Sequence, residues 1–353
     1  MRTKHLVLIL VFLVSGCGKK QEIQCLVSNA ETIVGGQTGQ ELSPTQVFRK
    51  NNGTEPGTLD PHRAEGVPAS NVLRDLFEGL VMEDPSGAYI PGAAESWSLS
   101  EDAKTYVFKM RENGKWSNGD VVTAEDFVYG LRRSVDPATL SNYSSMLYPI
   151  KNARDIVLGK KSSETLGVRA NGPTTLIIEL DEPTPYFLSL LTHSTTYAAH
   201  RPSVEEFGAR FTRPGNLVGN GAFKLEEWRV QSHIKLVRNT EYWDNKNTTL
   251  EEVYYYPLDD VNSSFKRYRA QELDFTETVL AEQLPWIRQC LPDDLKISPY
   301  FGSYYYGFNN TRPPFKNKPK LRTALSMAVD RSVITDIILG AGQIPAYSLV
   351  PSV

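Results

Sequence analysis

The sequence predicts an α/β fold, and three stretches of the chain carry that prediction. Large apolar side chains recur at every second position in residues 106–111 and again in residues 175–180, which is the pattern of half-buried strands. Between these stretches, Thr123 and Asp126 have the spacing of a capping box, which begins a helix. Pro137 would end that helix, because the residue before a proline disfavours helical geometry.

The length and composition describe an ordinary globular protein. Its 353 residues are enough for two domains, and 40% hydrophobic with 22% charged residues is typical of a packed core under a polar surface. The formal net charge of −3 provides no basic field to displace counterions from a duplex. The composition therefore argues against a nucleic-acid partner.

The N-terminus carries the features of an export signal. A positive start precedes an unbroken apolar run at residues 6–14, far shorter than the roughly 20 residues that a spanning helix needs. Residues 14–17, Val-Ser-Gly-Cys, resemble a bacterial lipobox, so we expect residues 1–16 to be a lipoprotein signal peptide and Cys17 to carry lipid. The alternative is an ordinary signal peptide with Cys17 incidental. Residues 17–44 are polar and would form a tether to the folded part.

The other two cysteines, Cys25 and Cys290, suit an exported protein. A disulfide between them would be stable in an oxidising compartment, but no spacing rule supports it, and free or buried thiols are the favoured interpretation. No Cys/His cluster has the spacing of a structural zinc site.

Short helices and strands are predicted along the rest of the chain. Asn71 is predicted to cap a short apolar helix. Residues 234–238 and 253–256 have the pattern of further strands. An amphipathic helix is predicted at residues 321–328, and a second helix from Asp330 to a C-terminal glycine at position 340.

No catalytic or cofactor-binding constellation stands out in the sequence. None of the five histidines lies in a metal-binding frame, and neither a Gly-x-Ser-x-Gly elbow nor a phosphate-binding glycine loop occurs. We therefore predict a binding protein rather than an enzyme, with no catalytic residues, no metal site and no cofactor.

Four short motifs resemble the signature of the family 5 extracellular solute-binding proteins of ABC importers. They are Glu-Ser-Trp at 95–97, Lys-Trp-Ser-x-Gly at 115–119, Thr-Ala-x-Asp-Phe-Val-Tyr at 123–129 and Asn-Gly-Ala-Phe at 220–223. They occur in the family's order and spacing, and the resemblance extends from about residue 46 to residue 353. It implies the periplasmic-binding architecture of class II, in the large type with two α/β lobes and an extra domain.

The resemblance also implies a division into domains. The first lobe would be discontinuous, formed by residues 45–77 and 201–301, with an inserted α/β domain at 78–200. Residues 302–353 would begin the second lobe. Because family members continue well beyond this length, we expect a C-terminally truncated chain with an incomplete second lobe.

Within the family the chain most resembles the oligopeptide- and murein-peptide-binding proteins, on the residues Leu-Asp-Pro-His at 59–62 and Ala-Glu-Gly-Val-Pro at 64–68. In those proteins the Glu-Gly-Val segment lends backbone hydrogen bonds to an extended peptide, and tyrosines approach the ligand. The resemblance thus implies four ligand-binding residues, which are Glu65, Val67, Tyr143 and Tyr305. The alternatives are a solvated loop acid for Glu65 and a surface or core tyrosine for Tyr143.

Tyr305 belongs to a run of three tyrosines at 304–306. Alternation along a strand would place its two neighbours on the opposite face, so at least one face should be core. Relatives often carry Glu after this run, whereas Gly307 stands here, so no carboxylate at that position can select basic side chains. In relatives the groups that hold the peptide termini lie beyond this length, and we therefore expect weak or no peptide binding.

The resemblance implies a monomeric solute-binding lipoprotein of an ABC-type peptide importer. It would bind extended oligopeptides between two lobes and deliver them to permease subunits, while lipid anchors it to a membrane in the periplasm or at the cell surface. Two alternatives remain open: a surface lipoprotein that senses peptides, and a nickel- or haem-binding member of the same family.

Overall fold

The computed structural model describes residue 25 and residues 42–298, 300 and 302–351. The chain divides into two compact units, drawn from Gly36–Val279 (unit A) and from Met1–Gly35 with Leu280–Val353 (unit B). Cys17 and most of the predicted tether lie outside the described residues.

Unit A contains the labelled strands and six labelled helices. The strands are β1 (Val47–Asn51), β2 (Val81–Glu83), β3 (Tyr89–Pro91), β4 (Ala94–Leu99), β5 (Thr105–Met110), β6 (Val168–Ala170), β7 (Thr175–Glu179), β8 (Phe223–Arg229), β9 (His233–Arg238) and β10 (Glu252–Tyr256). The helices are α1 (Gly66–Leu76), α2 (Ala124–Val135), α3 (Ala153–Val157), α4 (Phe187–Leu190), α5 (Arg201–Phe207) and α6 (Val261–Arg269). Unit B contains α7 (Leu284–Cys290), α8 (Pro319–Met327) and a π-helix at Val333–Leu339.

Sheet 1 is assembled from the two ends of unit A. Its strand order is β1-β10-β9-β8, in which β1 runs parallel to β10 and the other neighbours are antiparallel. Val253 and Tyr255 on β10 and Ile234 and Leu236 on β9 are buried. This alternation confirms the two strands predicted there.

Sheet 2 is formed by the chain between β1 and β8. Its strand order is β4-β5-β7-β6, and its neighbours are antiparallel. Tyr106, Phe108 and Met110 on β5 and Leu176 and Ile178 on β7 are buried, which confirms the two strands predicted from their period. β2 and β3 pair separately as a short antiparallel ribbon.

Helix α2 joins two of the signature motifs and covers sheet 2. The Asp126 carboxylate accepts a hydrogen bond from the backbone N–H of Thr123 at 2.7 Å, which is one of the two bonds of the predicted capping box, and it also accepts from the Thr123 hydroxyl at 2.9 Å. The same carboxylate accepts from the indole N–H of Trp116, a fully buried ring, at 3.4 Å. Phe127 and Leu131 are buried where α2 packs on β6 and β7. These signature residues therefore serve packing in this fold.

The Asn-Gly-Ala-Phe motif closes the chain on itself where it returns to sheet 1. At Gly219, the residue just before the motif, a Cβ atom would fall well inside van der Waals contact with the carbonyl group of Leu76, so only glycine fits. Next to it, the Asn220 amide accepts from the backbone N–H of Glu78 at 3.0 Å and donates to its carbonyl oxygen at 2.9 Å. The motif thus clamps the end of α1 to the start of β8.

The start of α1 differs from the sequence prediction. Asn71 is predicted as the N-cap, but the N-cap is Glu65, six residues earlier, and the helix begins at Gly66. Pro68 lies in the first turn, where a missing backbone N–H costs nothing, so it does not delay the helix. The Asn71 side chain instead donates to the side-chain oxygen of Asn52 at 3.1 Å.

Unit B contains a disulfide that the sequence did not favour. Cys25 is bonded to Cys290, the last residue of α7, so the preference for free or buried thiols was wrong. The two residues are 265 positions apart, and no local pattern signals a pair that only the fold brings together. Leu284 and Ile287 of α7 are buried.

The two helices predicted near the C-terminal end of unit B are confirmed as α8 and the π-helix. The Asp330 carboxylate accepts from the backbone N–H groups of Ser332 and Val333. Gly340 follows the π-helix with a left-handed φ of 60°, as a C-terminal glycine should.

Candidate functional site

The start of α1 presents exposed backbone that a ligand could pair with. Glu65 is extended, with φ −130° and ψ 149°, and Gly66 has a left-handed φ of 78°. The side chains of Glu65 and Val67 are exposed, and no side chain caps the helix. The first backbone N–H groups of a helix have no partner within it, so those of Gly66 and Val67 are available to an incoming carbonyl oxygen.

Buried asparagine side chains hold this segment in place. Asn52, 2% exposed, follows β1 and donates from its amide to the carbonyl oxygen of Pro68 at 3.0 Å. Its backbone N–H donates to the carbonyl oxygen of Tyr256 at 2.8 Å. The loop after β1 therefore fixes the first turn of α1 against sheet 1.

A second set of contacts fixes the middle of α1. The Tyr255 hydroxyl donates to the Asp75 carboxylate at 2.7 Å and contacts the carbonyl oxygen of Asn71 at 3.2 Å. The Lys50 ammonium group lies 5.2 Å from the ring centre of Phe275 and 5.9 Å from that of Tyr255. Burial raises the pKa of Asp75 and lowers the pKa of Lys50. Helix α1 is consequently a firm platform for the exposed segment at its start.

The Leu-Asp-Pro-His loop is tied to α2 by a compact charge cluster. Arg133 donates to both carboxylate oxygens of Asp60, at 2.8 and 2.6 Å, and faces the Nδ1 atom of His62 at 2.7 Å. The other ring nitrogen of His62 lies 2.9 Å from the carbonyl oxygen of Tyr197, so it donates there. Burial and the charge of Arg133 lower the pKa of His62 to about 4, and the imidazole is neutral. These residues shape the loop that precedes Glu65.

Tyr143 is half-buried, and its ring packs edge-on against the imidazole of His193 at 4.8 Å between centres. Burial, with the nearby charge of Arg74, lowers the pKa of His193. All three predicted site residues belong to unit A, and within the described residues no hydrogen bond, ion pair or ring contact joins Tyr143 to Glu65 or Val67.

Tyr305 belongs to unit B and is 68% exposed. Its neighbours Tyr304 and Tyr306 are 87% and 85% exposed and contact each other edge-on at 5.9 Å between ring centres. The expectation that one face of this run is core was therefore wrong, because the segment is not part of a strand and packs neither face.

One buried carboxylate in unit A was not anticipated from the sequence. Glu78, 3% exposed, accepts from the Tyr242 hydroxyl at 2.6 Å and from the Trp243 indole N–H at 2.8 Å. Burial raises its pKa to about 7 against those two hydrogen bonds and the charge of Arg111, which stacks 3.5 Å from the Trp243 ring centre. In the sequence, only the Tyr-Trp pair at 242–243 drew attention to this region, and the pair does not indicate which residue accepts its hydrogen bonds.

A serine, a histidine and an aspartate also meet in unit A, as in some hydrolases. The His200 ring contacts the Ser203 hydroxyl at 2.7 Å and the Asp120 carboxylate at 3.0 Å. Ser203 is only 5% exposed, and its backbone N–H also donates to the His200 ring, so His200 caps α5. A substrate could not reach this hydroxyl without unfolding the cap, and the trio is structural.

Two surface depressions lie in unit A, and neither includes a predicted site residue. The larger, about 460 Å³, is lined by Ser145, Met146, Tyr148, Pro149, Asp181, Glu182, Thr184, Tyr186 and Leu190. The smaller, about 240 Å³, is lined by Arg74, Val81, Met82, Glu83, Asp84, Thr192 and Tyr197.

Within the described residues, no group of three or more His, Cys, Asp or Glu side chains is placed to hold a metal ion. A membrane-spanning helix was not found either: none of the described helices combines the required length and apolar character.

Comparison with known proteins gives consistent matches over most of the chain. The model for bacterial extracellular solute-binding proteins, family 5 Middle, matches residues 88–353. The periplasmic oligopeptide-binding protein OppA of Salmonella typhimurium is 42% identical over 329 residues, covering 92% of this chain and 60% of the relative. YgiS of Escherichia coli, a probable deoxycholate-binding periplasmic protein, is 41% identical over 312 residues, covering 88% of this chain and 58% of the relative.

The solved structure of Haemophilus influenzae OppA in complex with the peptide RPPGFSPFR is similar with a TM-score of 0.84 at 41% identity. The match covers 88% of this chain and 61% of that chain. The chain thus spans about 60% of the length of the curated relatives that it matches.

Proposed function

Because the chain belongs to family 5 of the bacterial extracellular solute-binding proteins, we propose that it binds extended oligopeptides for an ABC-type importer and delivers them to the permease. The similarity to Haemophilus OppA confirms the α/β architecture predicted from the sequence, and solute-binding proteins of this kind are not enzymes. The observation that carries the proposal is the exposed backbone at the start of α1, where Glu65 is extended and the N–H groups of Gly66 and Val67 have no partner within the helix.

The physical reason is that an importer must hold peptides whatever their side chains are. Pairing backbone with backbone, as in an added strand, provides affinity without reading the peptide's sequence. Glu65 and Val67 would supply such groups, and the left-handed φ of Gly66 turns the chain between them. The first helical turn favours a carbonyl oxygen or a carboxylate through its partial positive charge.

Tyr143 and Tyr305 are proposed as further ligand contacts, each within its own unit. What supports Tyr143 is that His193 fixes its ring at 4.8 Å, so binding would immobilise no additional side chain. What supports Tyr305 is its exposure, 68%, in a run where three rings face solvent.

The organisation and location of the protein are also part of the proposal. We assign residues 45–77 and 201–301 to one lobe and 78–200 to an inserted domain, because the strands of sheet 1 flank those of sheet 2 in the chain. Residues 302–353 would begin another lobe. The lipobox resemblance of residues 14–17 supports an anchor through lipid on Cys17, in the periplasm or at the cell surface, and we propose that the anchored protein is a monomer.

One observation favours a second ligand class. The relative described as probably deoxycholate-binding is nearly as similar to this chain as the peptide-binding relatives, at 41% identity. A bile-acid carboxylate would also suit the N-terminus of α1. The two classes differ in apolar area and in hydrogen-bonding groups, so a direct titration separates them.

The test is calorimetric titration of the protein with RPPGFSPFR, with a mixed pool of tri- to pentapeptides, and with deoxycholate. We expect weak, saturable heat with peptides, at affinities weaker than the micromolar range, and none with deoxycholate below its aggregation threshold. Saturation by deoxycholate alone would overturn the peptide assignment.

Two further experiments separate the remaining alternatives. Deleting the gene should abolish growth on peptides as an amino-acid source, and normal peptide uptake in the deletion strain would favour a peptide-sensing lipoprotein. A metal assay on the purified protein would detect a nickel- or haem-binding member.

A further inference from the structure

The disulfide of unit B closes a very long loop. It joins Cys25 to Cys290, whose Cα atoms lie 5.4 Å apart across a sequence separation of 265 residues. Every labelled strand and helices α1 to α6 lie inside that loop. Cys290 ends α7, whose Leu284 and Ile287 are buried, and Arg288 of α7 donates to the carbonyl oxygen of Gly340 at 2.9 Å. The attachment point is therefore part of the packed body of unit B.

We propose that this disulfide makes α7, rather than the start of β1, the point at which the N-terminal lipid anchor holds the protein. The inference rests on lipidation of Cys17, which belongs to the proposed function. The chain then has two routes from the lipid to a folded unit. One runs through Cys25 and the disulfide into α7, and the other runs along the whole predicted tether to β1.

Covalent geometry decides which of the two routes has the shorter maximum span. Cys25 lies eight residues after Cys17, so the first route spans at most about 28 Å at roughly 3.5 Å per residue. Leu42, the first described residue of unit A, lies 25 residues after Cys17, and that route spans up to about 90 Å. The reach of the short route to α7 is therefore about a third of the reach of the tether to the start of unit A.

This arrangement suits a protein that must meet a membrane-embedded partner. Reducing the reach of a tether raises the effective concentration of the attached unit near its partner, without any new contact. A disulfide persists outside the cytosol, where the predicted export signal would place this chain. Unit B would accordingly be the part held close to the membrane.

The test separates the two routes by cutting one of them. Residues 30–36 are replaced by the recognition sequence of a site-specific protease, and the lipidated protein is prepared in washed membranes. After cleavage without reductant, we expect the protein to sediment with the membranes, held by the disulfide. Adding dithiothreitol should release it, because one thiolate of the reagent attacks one cysteine sulfur and displaces the other cysteine as a thiolate. The second thiol of the reagent then attacks the mixed disulfide, which closes a ring disulfide and displaces the first cysteine as a thiolate. Release by the protease alone would overturn the inference.

Two variants complete the design. Cys25→Ser and Cys290→Ser should each be released by the protease without reductant, and retention of either variant would show that something other than the disulfide holds the protein. If the protein is not on membranes before cleavage, the lipid anchor of the proposed function has failed instead. In that case the disulfide is tested on the soluble protein by cleavage and non-reducing gel electrophoresis. An N-terminal fragment that separates from the rest of the protein would contradict the inference.

Discussion

Glu78 provides the sharpest test of how unit A is held together. Its carboxylate is 3% exposed and accepts from Tyr242 and Trp243, while the Asn220 amide brackets its backbone. The residue therefore ties the end of α1 to the loop after β9 and to the start of β8. Glu78→Gln keeps the shape of the side chain and removes its ionisation.

The magnitude follows from the pKa. Burial raises the pKa of Glu78 from 4.5 to about 7 in the folded protein, so the folded state binds the proton more tightly than the unfolded state does. A pKa raised on folding contributes stability below the unfolded value, and that stability is lost as pH rises through the folded value. The difference of roughly 2.5 pKa units corresponds to about 3 kcal/mol between pH 4.5 and pH 8.

The assay is urea unfolding of the wild-type protein and of Glu78→Gln at several pH values, followed by tryptophan fluorescence. We expect the free energy of unfolding of the wild type, relative to the variant, to fall by about 3 kcal/mol from pH 4.5 to pH 8. Glu101→Gln, which removes an exposed carboxylate, should keep the wild-type profile. Parallel pH profiles for the wild type and Glu78→Gln would refute the reasoning.

Two further predictions concern packing and charge in unit A. Gly219→Ala forces a Cβ atom into the backbone of α1 and should lower the free energy of unfolding by about 3 kcal/mol in urea titrations, whereas Gly57→Ala has open space and should change it little. An equal effect of both substitutions would contradict the clamp. Arg133→Ala leaves the buried Asp60 carboxylate without its partner and should cost about 3 kcal/mol by the same measurement. Arg201→Ala removes an exposed ion pair and should change the free energy of unfolding very little. A loss as large as that of Arg133→Ala would contradict the distinction between buried and exposed ion pairs.

The elements that the sequence predicted best are those with a strong local pattern. Strands β5 and β7 follow from alternation, and α2 follows from the Thr123–Asp126 spacing and its apolar face. The start of α1 was misplaced because Asn71 looks like a cap, while the actual start includes a glycine with positive φ and a hydrogen bond from Asn52 to the first turn. Local sequence patterns therefore predicted that these helices and strands exist more reliably than they predicted where each one begins and ends.

Long-range pairings could not be predicted from the sequence. The parallel pairing of β1 with β10, the burial of Glu78 and the bond between Cys25 and Cys290 each join residues far apart in the chain. No periodicity encodes such a pair, because its partner is chosen by the folded topology. The proposed ligand-binding residues rest on the resemblance to relatives, and for Glu65 and Val67 the exposed backbone at the start of α1 adds a physical argument.

The central claim is that the backbone at the start of α1 holds a peptide, and one pair of variants tests it directly. Val67→Pro removes the backbone N–H at a first-turn position where proline is tolerated, and Val67→Ala keeps that N–H while trimming the side chain. In calorimetric titration with RPPGFSPFR, we expect Val67→Pro to weaken binding about fivefold, the value of one hydrogen bond, and Val67→Ala to bind nearly as the wild type does. Equal affinity of both variants and the wild type, with unchanged thermal unfolding, would contradict the account.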